Sequence, residues 1–302
     1  MAKFIYHNVK DFNTDHIFDC GQCFRWTRES DGSYTGIAFG KIGNMRYEGN
    51  TCGAESSCTG EKEGSLIIDN CGADDFRNIW KNYLDLDRDY SLIKEELSAS
   101  DEIMRKAIMG GGGIRILRQE LWETMISFII SQNNNIPRIK GCIENLCRLF
   151  GEKAGEYKGK EYYNIPTPEK LAEMKPDELA ECRLGYRAPY LTETAAEVVR
   201  RGGMRAVEHD LAELEKPEQV IEYLRGFKGV GPKVANCIAL FGLSRFDAFP
   251  IDVWVKRVMN RLYNIDEKDT KNMAKYAEEH FGENGGIAQQ YLFYYIRGLE
   301  EL

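Results

Sequence analysis

The chain has 302 residues, 43% of them hydrophobic and 29% charged, which excludes a disordered or fibrous protein and leaves room for two or three domains. No apolar run approaches the ~20 residues that span a bilayer, and residues 1–16 lack the apolar core of a secretory signal, so an intracellular, cytoplasmic protein is expected. The net charge of −8 argues at first sight against a nucleic-acid partner.

The first ~70 residues read as strands and turns. Tyr34, Gly36 and Ala38 alternate with other residues, as do Met45 and Tyr47, and Ser65-Leu-Ile-Ile68 is a short apolar run. Turn signals separate them at residues 30–33, at Gly43-Asn44, at Gly49-Asn50 and at residues 61–64. From Asp74 the pattern becomes helical: Phe76, Ile79, Trp80 and Tyr83 share one helical spacing, and Leu92, Ile93 and Leu97 another. Gly110-Gly-Gly-Gly113 reads as a flexible hinge, since no Gly-Lys-Ser/Thr follows to make a phosphate loop. Beyond it, helices are expected over 117–131, 139–150, 191–200 (after a turn at Gly185), 217–226, 232–243, 252–263, 269–281 and 287–299. The fold class is therefore α+β: an antiparallel β-rich region with trailing helices over 1–110, then an all-helical body over 111–302.

Charge and cysteine placement refine this. Residues 1–100 carry −6 of the net charge, whereas residues 225–261 hold seven basic and two acidic side chains. That patch is a possible phosphate footprint, or simply a solvated helix face. Nine cysteines in an intracellular chain are expected as free thiols. Cys20-Gly-Gln-Cys23 is the only CxxC, no second pair follows at zinc spacing, and His7, His16, His209 and His280 form no ligand pattern. No metal is expected.

The most informative stretch is residues 224–237, Leu-Arg-Gly-Phe-Lys-Gly-Val-Gly-Pro-Lys-Val-Ala-Asn-Cys. One helix is expected to stop at Gly226 in a left-handed conformation. Gly229-Val230-Gly231 makes a tight turn, and Pro232 restarts a helix where its missing N–H is harmless. The outward amides of such a hairpin suit a phosphate oxygen. Read alone, the stretch is more readily a plain connection between two helices. Two further residues shift that balance. Lys233 lies in the first turn of a helix, where a cation is disfavoured. Nineteen residues on, Phe249-Pro250-Ile251-Asp252 places Asp252 at the N-cap of the next amphipathic helix.

Gly-Val-Gly-x-Lys-Val-Ala followed about twenty residues later by Pro-Ile-Asp resembles the motif of the helix-hairpin-helix DNA glycosylases. The resemblance implies that Lys233 is the nucleophile and Asp252 the essential aspartate, and that Gly229 and Gly231 hold DNA phosphate. The iron–sulfur branches carry four cysteines after the aspartate, but this chain has none beyond Cys237, so no cofactor is expected. The alkylpurine branch lacks the lysine. The chain is most similar to the 8-oxoguanine branch, over residues 19–293.

Several blocks carry that likeness. Gly21-Gln-Cys-Phe-Arg-Trp26 resembles the family element whose glycine carbonyl accepts the N7–H of 8-oxoguanine. The 131–141 block, Ser-Gln-Asn-Asn-Asn-Ile-Pro-Arg-Ile-Lys-Gly, implies that Asn133 enters the space left by the flipped base and that Arg138 contacts the orphaned cytosine. Leu184-Gly-Tyr-Arg-Ala188 implies Tyr186 as a wedge and Arg187 as a second cytosine contact. Ala288-Gln-Gln-Tyr-Leu-Phe293 implies Gln289 on the Watson–Crick edge of the lesion and Phe293 stacked on it. Cys237 and Pro250 complete the implied pocket. Each also has an ordinary reading: turn glycine, loop asparagine, core aromatic, helix cap.

The sequence departs from animal-type members at Trp254, where they carry a histidine, and at Asn236, where an acidic residue is common. The expected partner is double-stranded DNA containing 8-oxoguanine, bound by a monomer that would be nucleoid-associated in a prokaryote. The rival readings are a non-enzymatic hairpin DNA binder, which has no use for Lys233 and Asp252, and an alkylpurine glycosylase.

Overall fold

The computed structural model describes residues 2–49, 63–99 and 101–300. Asn50 of the Gly49-Asn50 turn, residues 61 and 62 of the 61–64 turn, Cys52 and Cys58 lie outside the described residues. Contacts divide the chain into two compact units. The first comprises Met1–Gly36, Ile42–Arg118 and Val253–Leu302, and the second Ile37–Lys41 and Gln119–Asp252. They do not follow the 1–110 and 111–302 division, because the C-terminal helices group with the N-terminal sheet.

The sheet is antiparallel, with strands β1 (Lys3–Val9), β2 (Trp26–Arg28), β3 (Tyr34–Ala38), β4 (Lys41–Glu48) and β5 (Gly64–Asp69) in the order β1-β5-β4-β3-β2. Met45 and Ile68 face each other in the β4–β5 register, and both are fully buried. β1 is absent from the sequence reading. It is a largely exposed edge strand whose register shifts between Tyr6 and Val9, with Asn8 at φ +59°. Ile5, 42% exposed between the half-buried Phe4 and Tyr6, makes three large hydrophobic residues consecutive and so hides the alternation that marks a strand. Trp26 anchors the core beneath the sheet. It stacks on Phe18 at 4.3 Å and donates its indole N–H to Tyr83 Oη at 2.7 Å. Gly36 lies opposite Trp26 in the register, and a Cβ there would stand 2.4 Å from the indole.

The glycine run is not a hinge. Gly110 and Gly111 close the helix Glu102–Gly111. A Cβ on Gly111 would lie 3.0 Å from Ile114 and 3.2 Å from Tyr294, and one on Gly113 would lie 2.4 Å from Asn13. These glycines permit close packing, including that of the C-terminal helix Gly285–Glu300 on Glu102–Gly111. The helix expected from residue 117 begins at Leu121. Its would-be first amides are used elsewhere: Leu117 N–H donates to Gln22 Oε1 and Arg118 N–H to the Tyr83 carbonyl.

The second unit is helical except for a small hairpin, β6 (Lys153–Tyr157) with β7 (Lys160–Tyr163), which corrects the all-helical expectation. Lys158 and Gly159 turn it, both at positive φ (50° and 78°), as a two-residue hairpin of primed type requires. Its polar strands carry little hydrophobic signal. A helix at Met204–Ala212 was also not anticipated. Among the described residues no helix is long and apolar enough to cross a membrane.

Candidate active site

Within the second unit, the helix Pro217–Arg225 ends at Gly226 with φ −67°. Gly226 is thus right-handed, which corrects the expected left-handed stop. The reversal falls instead on Gly229, at φ +76°, where a Cβ would stand 2.7 Å from the Tyr190 ring. Its carbonyl accepts from Gln132 Nε2 at 2.9 Å, and that of Lys228 accepts from Thr194 Oγ1 at 2.8 Å. Gly231 is different. It is extended (φ −84°, ψ 179°) at the N-cap of the helix Pro232–Gly242, and a Cβ there would meet nothing. Packing therefore does not require a glycine at 231, and its bare backbone leaves the helix N-terminus, with its unbonded first amides, open to a ligand. The hairpin lines an open cavity of about 610 Å³.

The charge count overstated the phosphate footprint. Arg225 pairs with Glu222 at 2.8 Å, Lys228 with Glu193 at 3.5 Å and Arg245 with Asp247 at 3.1 Å. Those cations are thus offset by neighbouring carboxylates and supply less net positive charge than their number implies.

Lys233 follows Pro232 at the start of the hairpin helix and is half-buried. Its Nζ lies 5.2 Å from the centroid of the Phe128 ring, a cation–π distance. One turn later, Cys237 is 3% exposed. Burial pushes its thiol pKa up, the neighbouring Lys233 ammonium pulls it down, and the Asp252 carboxylate raises it. An amine, a thiol and a carboxylate thus share one electrostatic neighbourhood. Asp252 immediately precedes the helix Val253–Tyr263, at the expected cap position, and Pro250 before it is buried. Asn236 bonds back to the Pro232 carbonyl at 2.9 Å, a local helix contact.

A second cluster in this unit gathers Asn133, Tyr186 and Arg187 around Gln132. Asn133 sits at φ +46°, and its Nδ2 donates to Tyr186 Oη at 3.3 Å. Tyr186 is 49% exposed, with its hydroxyl donating to the Gln132 carbonyl at 3.2 Å and the Arg187 guanidinium 4.5 Å from its ring centroid. Arg187 is only 2% exposed. It donates to the carbonyls of Gln132 (2.8 Å), Asn133 (3.0 Å) and Leu184 (3.1 Å). Arg138 is exposed on the first turn of the helix Ile136–Phe150, whose Asn135 cap accepts the Arg138 amide at 3.0 Å. Burial raises the pKa of the Cys142 thiol, and Arg138 and Arg187 both lower it. Sequence reasoning assigned nothing to Gln132 or Phe128. Gln132 ties the hairpin to the Tyr186–Arg187 cluster, and its only signal was its place beside the asparagine run.

The first unit holds Gly21, Gln289 and Phe293. Gly21 is at φ +77°. Gln289 is buried and accepts from Gln290 Nε2 at 2.9 Å. Phe293, one turn on and also buried, has the Arg297 guanidinium 5.6 Å from its ring centroid. Trp254 lies beneath the Arg257 guanidinium, 4.8 Å from the ring centroid. Cys20 and Cys23 are both buried, and burial pushes the Cys20 thiol up to about 12, so Cys20 offers no ready thiolate. Among the described residues no cluster of His, Cys, Asp and Glu could hold a metal ion, and the seven cysteines are free thiols.

Comparison with known proteins agrees across the chain. The family model described as 8-oxoguanine DNA glycosylase, N-terminal domain, matches residues 4–125. That of the HhH-GPD superfamily base excision DNA repair proteins matches residues 126–283. An N-glycosylase/DNA lyase of Saccharomyces cerevisiae is 42% identical over 160 residues, 51% of this chain and 43% of that protein. The match therefore spans less than half the length of that relative. The structure of MBOgg1 in complex with a low-affinity DNA ligand is 43% identical, with a TM-score of 0.88 over 99% of this chain and 97% of that one. The Clostridium acetobutylicum 8-oxoguanine glycosylase/lyase, in complex with double-stranded DNA containing cytosine opposite 8-oxoguanine, is 40% identical, with a TM-score of 0.87 over 98% of each chain. The chain belongs to the helix-hairpin-helix (HhH-GPD) superfamily of base excision DNA repair proteins and, within it, to the 8-oxoguanine DNA glycosylase family.

Proposed function

We propose that this chain is a bifunctional DNA glycosylase/AP lyase that flips 8-oxoguanine, paired with cytosine, out of duplex DNA, excises it and cleaves the strand. The observation that carries the reading is Lys233 in the first turn of the hairpin helix, sharing its electrostatic neighbourhood with Asp252. The hairpin amides hold the backbone. The Lys233 amine attacks C1′ of the extruded nucleoside, and the C1′–N9 bond breaks with its electron pair leaving on the base, which takes up the proton that Nζ releases. Asp252 stabilises the positive charge that grows on the sugar. Ring opening leaves an imine between Nζ and C1′. Loss of the C2′ proton then expels the 3′-phosphate by β-elimination. The protein acts as an intracellular monomer on double-stranded DNA. Borohydride with an 8-oxoguanine:cytosine duplex should trap a covalent complex that a guanine:cytosine duplex does not give. Equal trapping on both would remove the lesion from the reading.

Gln289 offers both a donor and an acceptor, which suits the edge of an extruded purine, and Phe293 supplies a stacking face. Gln289→Ala is expected to slow excision of 8-oxoguanine far more than it weakens non-specific duplex binding. A variant that melts early yet excises normally when folded would make Gln289 a core residue only.

Arg138 and Arg187 are proposed to face the orphaned cytosine, and their surroundings predict different outcomes. Arg138→Ala removes an exposed side chain, so preference for cytosine over adenine should fall by about 1–3 kcal/mol with an unchanged melting temperature. Arg187→Ala strips donors from three backbone carbonyls, so it should also lose roughly 2 kcal/mol or more of stability. Excision kinetics against both opposite bases, read beside thermal melts, separate the effects. Unchanged preference in both variants would overturn the assignment.

A further inference from the structure

In the first unit, the Gly21 loop is held from two sides. On the inner side, Gln22 is fully buried. Its Nε2 donates to the carbonyls of Ile17 (2.9 Å) and Arg115 (2.8 Å), while its Oε1 accepts from Leu117 N–H (2.8 Å). That segment is itself braced. The Arg115 guanidinium, nearly inaccessible, donates to the carbonyls of Lys10 (2.9 Å), Asp11 (3.0 Å) and Asp85 (2.7 Å). On the outer side, Arg297 Nη1 donates to the carbonyl of Asp19 at 3.1 Å, two residues before Gly21.

Arg297 sits on the C-terminal helix four residues after Phe293 and eight after Gln289, so the three share one helical face. Its guanidinium thus makes two contacts at once, one with the Phe293 ring and one with the backbone of the Gly21 loop. The ring contact orients the planar cation, and the planar cation reaches the loop carbonyl. A surface tether alone would not need to stand on that ring.

We propose that Arg297 is a positioning residue that fixes the Gly21 carbonyl relative to the helix bearing Gln289 and Phe293, and thereby sets discrimination between 8-oxoguanine and guanine. The proposal rests on the reading of Gly21 and Gln289 as the groups that recognise the lesion. The two bases differ at N7 by a donor against a lone pair, so discrimination depends on where one carbonyl is held. A displacement of about 1 Å at such a group can change a rate by ~10²-fold.

The test measures three quantities on Arg297→Ala and the wild type: single-turnover excision of 8-oxoguanine opposite cytosine, excision of guanine opposite cytosine, and strand cleavage at a preformed abasic site. The rate ratio for 8-oxoguanine over guanine should fall by about tenfold or more. Cleavage at the abasic site, which presents no base to read, should stay within about twofold, with an unchanged melting temperature. An unchanged ratio would overturn the proposal, and so would a parallel fall in all three rates tracking a lower melting temperature. A wild type with no preference for 8-oxoguanine would instead sink the functional reading itself, so the two failures are distinct. Gln22→Leu probes the inner side, but it removes bonds from a fully buried amide, so Arg297→Ala carries the decision.

Discussion

Lys233→Gln is expected to abolish base excision and borohydride trapping while leaving duplex affinity within a few-fold. Lys233 is the amine in the electrostatic neighbourhood of Cys237 and Asp252, so removing Nζ removes the atom that would form the bond to C1′. The loss should reach roughly three orders of magnitude or more in single-turnover rate. Binding should survive because the hairpin is held by contacts in which the Lys233 side chain has no part: Gln132 to the Gly229 carbonyl, Thr194 to the Lys228 carbonyl, and Gly229 against Tyr190. Folding should survive as well. The half-buried ammonium gives up a cation–π contact with Phe128 worth about 0.5–1 kcal/mol, and a glutamine stem covers the same ring. Single-turnover kinetics and a filter-binding isotherm on one duplex check both halves. Near-wild-type cleavage by the variant would refute the Schiff-base mechanism.

Asp252→Asn should lower the excision rate by about 10²–10³-fold, or about 3–4 kcal/mol of transition-state stabilisation, with little change in affinity. The sugar is neutral in the bound state and cationic only as the base departs, so the carboxylate contributes mainly at the barrier. Asparagine caps a helix nearly as well as aspartate, so the start of Val253–Tyr263 should hold. The same substitution removes a negative charge from beside Cys237, whose thiol pKa should fall, because that carboxylate raises it. Thiol-alkylation rates as a function of pH would read the shift without any DNA. A rate loss matched by a proportional loss of folded protein would take Asp252 out of the chemistry.

What was legible in the sequence and what was not divides on physical grounds. The helix starts at Pro217 and Pro232, the turn at Gly229 and the cap position of Asp252 were all readable, because each is decided by the backbone preferences of one to three adjacent residues. The family motif, a lysine and an aspartate nineteen residues apart, is equally local. Where neighbours in the chain did not decide the outcome, the reading failed. Gly226 looked like a left-handed helix stop, yet the reversal was assigned to Gly229, where the Tyr190 ring leaves no space for a Cβ. The glycines at 110–113 suggested looseness, but Tyr294 and Asn13, brought in from distant segments, make them close contacts. β1 was hidden by an exposed Ile5 between Phe4 and Tyr6, and the Lys153–Tyr163 hairpin by its polar strands.

By itself, then, the sequence determined the class of fold and the family, because those follow from local propensity and from a motif of short span, and that motif is what points to Lys233 and Asp252 as the residues proposed for the chemistry. Only the tertiary structure decided which buried amides and cations hold those residues in place. Gln22 finds Leu117 ninety-five positions away, Gln132 finds Gly229 ninety-seven away, and Arg297 reaches back to Asp19. A buried hydrogen-bonding group must be paired wherever the fold places a partner, and nothing adjacent to it in the chain says where that will be.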